Sequence, residues 1–130
     1  MPCRGIRGAT TVDRNDREHI LASTRELLTQ IVEANGVHPD DVACVFFTTT
    51  RDLNAEFPAV AAREGLGWTT VPLTCGHEMD VPGALPMCLR IMMVCNTSKK
   101  AEEIVHVYTR GASELRKKGA VIRASGEGPK

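Results

Sequence analysis

Arg90 stands inside the apolar run Met87-Cys88-Leu89-Arg90-Ile91-Met92-Met93-Val94-Cys95, which otherwise reads as a buried strand. A guanidinium keeps its charge at any working pH and is costly to bury without an anionic partner. The placement therefore calls for an internal acid such as Glu78 or Asp80, for a bound anion, or for an edge strand from which the side chain snorkels to water. Arg7 lies between Gly5 and Gly8, which permit close backbone approach or mark a strand bulge. Arg63, Arg116, Glu78 and the lone Tyr108 fall near the ends of predicted elements. Guanidinium forks match carboxylates bidentately, so this set suits a small polyanion.

Other chemistries lack a signature. The segment Thr74-Cys75-Gly76-His77-Glu78-Met79-Asp80 offers possible metal ligands, but neither CxxC nor HxxxH spacing occurs, so no metal is expected. Cys75 and His77, two apart on an extended segment, share a face yet seldom reach hydrogen-bond geometry, and no third orienting group is evident. A redox or nucleophilic role for Cys75 stands as a separate reading, one that demands a reactive thiol. GxSxG, P-loop and GxGxxG motifs are absent, and no cofactor is expected.

The elements that must position these side chains fit one domain. A chain of 130 residues can bury a sizeable core but is too small for an interdomain cleft, so an active site must be a surface groove or be completed by another subunit. Sixteen basic and sixteen acidic residues balance, without a basic stripe, and nucleic acid is not an expected partner. No apolar run approaches the roughly 20 residues of a membrane helix, and Met1-Pro2-Cys3-Arg4-Gly5-Ile6-Arg7 has no signal-peptide core. Five cysteines in no CxxC pattern suit reduced thiols. A cytoplasmic protein without membrane contact is expected.

Strands are predicted over residues 3–12, Val42 to Thr50, Trp68 to Leu73, Cys88 to Cys95 and Ile104 to Tyr108. Residues 14–35 place Ile20, Thr24, Leu27, Leu28 and Ile31 at helical spacing, with Asp13 as a cap and Asn35-Gly36 as a stop. Pro58 suits the first turn of a short helix ended by Gly65, residues 110–118 suit another, and Thr74 to Pro86 reads as a turn-rich loop. The expected class is α+β, a sheet of about five strands covered by one long amphipathic helix. Residues 1–118 form the domain, and 119–130, small and charged, form a flexible tail.

Several ordered segments then carry a resemblance. They are Arg4-Gly5-Ile6-Arg7-Gly8-Ala9-Thr10-Thr11-Val12, Asp52-Leu53-Asn54-Ala55-Glu56-Phe57-Pro58-Ala59, Val71-Pro72-Leu73-Thr74-Cys75 with Glu78-Met79-Asp80-Val81, Cys88-Leu89-Arg90-Ile91-Met92-Met93, and Ile104-Val105-His106-Val107-Tyr108. In this order, over roughly residues 3–117, the chain resembles the monofunctional chorismate mutases of the Bacillus type. The resemblance implies a mixed sheet and a homotrimeric pseudo-α/β barrel with active sites between subunits. It also implies the conversion of chorismate to prephenate by an intramolecular Claisen rearrangement, on the branch toward phenylalanine and tyrosine.

By that resemblance Arg90 would donate to the breaking ether oxygen and also touch a carboxylate. Arg7 would bind the side-chain carboxylate with support from Tyr108, and Glu78 and Cys75 would meet the ring hydroxyl. Phe57, Ala59, Leu73 and Thr74 would line the pocket from the adjacent chain, with Arg63, Arg116 and Leu115 near its mouth. Val60 stands where the family often has lysine, and the tail past Arg116 has no obvious match. A non-catalytic trimeric module that binds a small metabolite is the alternative, since fold alone does not fix function.

Overall fold

The computed structural model describes residues 1–115 and the backbone of Val121–Ile122. Strands β1 (Cys3–Thr11), β2 (Val42–Thr49), β3 (Leu73–His77), β4 (Cys88–Asn96), β5 (His106–Tyr108) and β6 (Val121–Ile122) form one six-stranded sheet in the order β3-β2-β4-β1-β5-β6. The pairings make it mixed: β4 runs antiparallel to both neighbours, β1 and β2, while the β2–β3, β1–β5 and β5–β6 pairs are parallel. Four of the five predicted strands are present at or close to their predicted positions, the third is displaced to Leu73–His77, and β6 is a short addition.

The parallel strands β1 and β2 require a crossover, which helix α1 (Arg17–Asn35) supplies. Its Ile20, Leu27, Leu28 and Ile31 pack into a core with Ile6, Val45, Phe47, Leu89, Ile91 and Met93 from the covered sheet face. Gly8 explains how closely the helix lies. A Cβ there would stand 2.7 Å from Ile31 Cδ1 and 3.2 Å from Leu27 Cδ1. The β1–β4 register is unbroken from Cys3↔Asn96 to Thr11↔Cys88, so Gly8 makes room for helix packing and does not mark a bulge.

The helix cap is Asp16, not Asp13. Asp16 is extended (φ −142°) and its carboxylate accepts the His19 N–H at 2.8 Å, which Asp13, a turn further back, does not do. At the other end Gly36 adopts φ 61° and its N–H bonds the Val32 carbonyl, as the Asn35-Gly36 pair predicts.

The third strand differs from expectation. Trp68 and Val71 are buried in the core but precede the strand, because Pro72 has no N–H to pair and β3 begins at Leu73. The predicted loop thus gives up Thr74 to His77 to an edge strand. The short segment after Pro58 closes as a π-helical turn at Ala61–Gly65, and a 3-10 turn spans Arg110–Ala112. Arg116 and, apart from Val121–Ile122, the predicted tail lie outside the described residues. Among the described residues no helix is long and apolar enough to cross a membrane.

Candidate active site

Period-2 alternation sorts the β4 residues. Leu89, Ile91 and Met93 point into the core, whereas Arg90 and Met92 point to the face α1 does not cover. Arg90 is therefore on a central strand but not in the core, its side chain 44% exposed, and the edge-strand explanation is not the correct one. The register then aligns its neighbours. Thr48 of β2 and Ala9 of β1 lie opposite Arg90, and Tyr108 of β5 lies beside Ala9. One row along, Phe46 and Arg7 flank Met92.

Arg7, Thr48, Glu78, Arg90 and Tyr108 thereby converge on one pocket of about 210 Å³, framed by Phe46 and Met92. Glu78 enters from the end of β3, where its N–H bonds the Thr49 carbonyl at 2.8 Å and extends the pairing by one residue. Its Oε2 accepts a hydrogen bond from Thr48 Oγ1 at 2.6 Å and lies 3.9 Å from Arg90 Nε. The Arg7 backbone N–H donates to His106 Nδ1 at 3.0 Å, tying β1 to β5 directly behind the Arg7 side chain. Two guanidiniums facing one carboxylate leave the pocket with a positive side-chain charge.

Tyr108 is buried in a small cluster with Ala9, Cys88 and Ala112. Burial pushes the Cys88 thiol up, with the Arg90 charge opposing it in part. Cys88 thus behaves as packing under the pocket.

The remaining predicted residues gather elsewhere. Cys75 pairs in register with the core-facing Phe47, so its side chain turns to the opposite face from Arg90. It lines a second pocket of about 360 Å³ with Phe57 and His77. Phe57 is 69% exposed, Ala59 is buried, and Arg63 is exposed. Burial is the main effect on the Cys75 thiol and pushes it up, against smaller opposing contributions from the Ala59 backbone and the Arg63 charge. Leu73 packs against the core from the edge strand, and Thr74 lies exposed opposite Phe46 in the β2–β3 register. Leu115 is 36% exposed near the end of the described chain. Val60 is buried.

One chain therefore unites Arg7, Glu78, Arg90 and Tyr108 but holds Cys75 and Phe57 apart from them. Thr48, Phe46 and Met92 are pocket residues that the sequence pattern did not single out, although alternation within Val42 to Thr50 already set Phe46 and Thr48 against Val45 and Phe47. Among the described residues no group of three or more His, Cys, Asp or Glu side chains could hold a metal ion.

This arrangement has counterparts. The family model for chorismate mutase type I matches residues 3–118. Chorismate mutase AroH of Bacillus subtilis is 48% identical over 116 residues, covering 89% of this chain and 91% of that relative. Chorismate mutase AroH of Thermus thermophilus is 46% identical over 114 residues, covering 87% and 93%. A solved chorismate mutase from Clostridium thermocellum superposes with a TM-score of 0.82 at 50% identity, covering 84% of this chain and 96% of that one. With the family model spanning residues 3–118, the chain belongs to the type I chorismate mutase family.

Proposed function

We propose that the protein converts chorismate to prephenate in clefts completed between copies of the chain, in the synthesis of phenylalanine and tyrosine. The observation that carries this is the convergence of Arg7, Arg90, Glu78 and Tyr108 on one open sheet face. A dicarboxylate that rearranges within itself asks for positioning and charge stabilisation, and this pocket offers both.

The roles are those the family resemblance implies, and the chemistry accommodates them. In the rearrangement the ether C–O bond breaks ahead of C–C bond formation, so negative charge grows on the ether oxygen and positive charge on the ring. Arg90 donates to that oxygen, and its fork also reaches a carboxylate. Arg7 takes the side-chain carboxylate, with Tyr108 in support, and Glu78 meets the ring hydroxyl and favours the positive end of the dipole. Preorganised donors of this kind act most strongly where water is excluded, and a pocket with Phe46 44% and Met92 39% exposed is not yet closed.

A second copy supplies the closure. Phe57 and Cys75 line a pocket separate from Arg90, and placed against a neighbour's open sheet face that region, with Ala59, Leu73 and Thr74 close by in the chain, forms the opposite wall. Arg63, Leu115 and Arg116 then lie at the mouth. Three such contacts close a homotrimer built as a pseudo-α/β barrel, working in the cytoplasm. A non-catalytic module is disfavoured because Arg7, Glu78, Arg90 and Tyr108 are all retained and all converge.

The test is turnover. Purified protein mixed with chorismate in the presence of a chelator is expected to deplete the ultraviolet absorbance of the substrate and yield prephenate. Binding of chorismate without turnover would replace the mutase with the binding module.

A further inference from the structure

The geometry points to Thr48 as a positioning residue for the reaction, one that holds the Glu78 carboxylate in place and off the Arg90 guanidinium. This rests on the mutase reading of the pocket. Thr48 is well placed for such a task. It sits on β2, next to the central strand β4 and opposite Arg90 in the antiparallel register. Its β-branched side chain has few χ1 choices, so the position of Oγ1 follows from the backbone.

Glu78 is the opposite case. Its backbone is fixed by the bond to the Thr49 carbonyl, but its carboxylate hangs on a flexible stem and the side chain is 38% exposed. Two groups approach Oε2. The Arg90 Nε, at 3.9 Å, is beyond hydrogen-bond reach and attracts without direction. The Thr48 hydroxyl, at 2.6 Å, is within the range of an O–H donated to an ionised carboxylate. Of these two, Thr48 supplies the directional restraint.

The consequence lies with Arg90. Freed from Thr48, the carboxylate can swing toward Arg90 and form the bidentate pair that carboxylates and guanidiniums favour. The donors aimed at the ether oxygen would then be engaged by the protein itself. The hydroxyl keeps acid and base adjacent but not hydrogen-bonded to each other, which is the arrangement a polarised transition state requires.

The experiment compares chorismate kinetics in two backgrounds. Thr48→Val, which preserves shape and strand propensity, is expected to lower kcat about tenfold, the scale of one hydrogen bond to a charged group, with KM changed by less than about threefold. Thr48→Ser, which keeps the hydroxyl, is expected to restore kcat to within about threefold of the parent. In a Glu78→Ala background, Thr48→Val is expected to cost less than about twofold, because the group it positions is gone. Thr48→Ala serves in the same comparison if the valine variant does not fold. An equal loss in both backgrounds, or a Thr48→Val enzyme with the parental kcat, overturns the role of Thr48. A Glu78→Ala enzyme as fast as the parent overturns instead the assignment of Glu78 on which it rests.

Discussion

Arg90 and Glu78 stand side by side without forming a hydrogen-bonded ion pair: the Nε of Arg90 lies 3.9 Å from the nearer carboxylate oxygen. The internal acid anticipated as the partner of Arg90 is present, yet at this distance it does not consume the guanidinium fork. In the proposed function the fork then serves the bound anion, and the carboxylate acts on a different part of the same ligand.

Cys75 is expected to be a wall residue and not a nucleophile. Because burial pushes its thiol up, the reactive thiolate is scarcer at neutral pH than for an ordinary cysteine. Alkylation followed by mass spectrometry is expected to be slow near pH 7 and to accelerate as pH rises. Cys75→Ser is expected to retain activity within roughly tenfold of the parent, as suits loss of one weak hydrogen bond.

Gly8→Ala is expected to destabilise the fold. The added Cβ would meet Ile31 Cδ1 at 2.7 Å and both Leu27 Cδ1 and the Val107 carbonyl at 3.2 Å, inside a packed core. The expected loss is about 1–3 kcal/mol in denaturant titration, as for other overpacked sites.

Asp16 gives a pH signature to helix α1. Its carboxyl is held below the usual aspartate range, chiefly by the hydrogen bond from the His19 backbone N–H. A depressed folded-state value means that the stabilisation is complete above the ordinary aspartate range and is lost as pH falls through the lowered value. Thermal melts are expected to show a lower Tm for Asp16→Ala at neutral pH, with the gap from the parent narrowing in acid.

The layout of residues was only partly legible in sequence. The apolar spacing of Ile20, Leu27, Leu28 and Ile31 identified α1, and the run around Arg90 identified β4, because burial on one face imposes a period that survives in the sequence. Asp16 and Pro72 were decided more locally: which acid reaches the first free N–H, and which residue lacks one. The parity of Arg90, Thr48 and Cys75 depends on strand register, which is set by pairings far apart in the chain. For that reason the anion-binding set was readable as residue types, while the separation of Cys75 from Glu78 and the place of Thr48 required the sheet.

The proposed sharing of sites between copies makes a mixing experiment informative. Arg90→Ala damages one wall and Phe57→Glu, which sets an acid against a dicarboxylate, damages the other. Unfolded together and refolded as mixed assemblies, the two inactive proteins are expected to regain up to about a quarter of the parental activity, because a chain bearing either lesion still offers one intact wall. Continued inactivity of the mixture would place each site within a single chain.

The most direct test of the account is the comparison of parent and Arg90→Lys in chorismate turnover. Lysine keeps the charge but loses the planar fork. The account expects rapid conversion to prephenate by the parent and a fall in kcat/KM on the order of a hundredfold or more in the variant, corresponding to at least about 3 kcal/mol of transition-state stabilisation. An Arg90→Lys protein that matches the parent would contradict it.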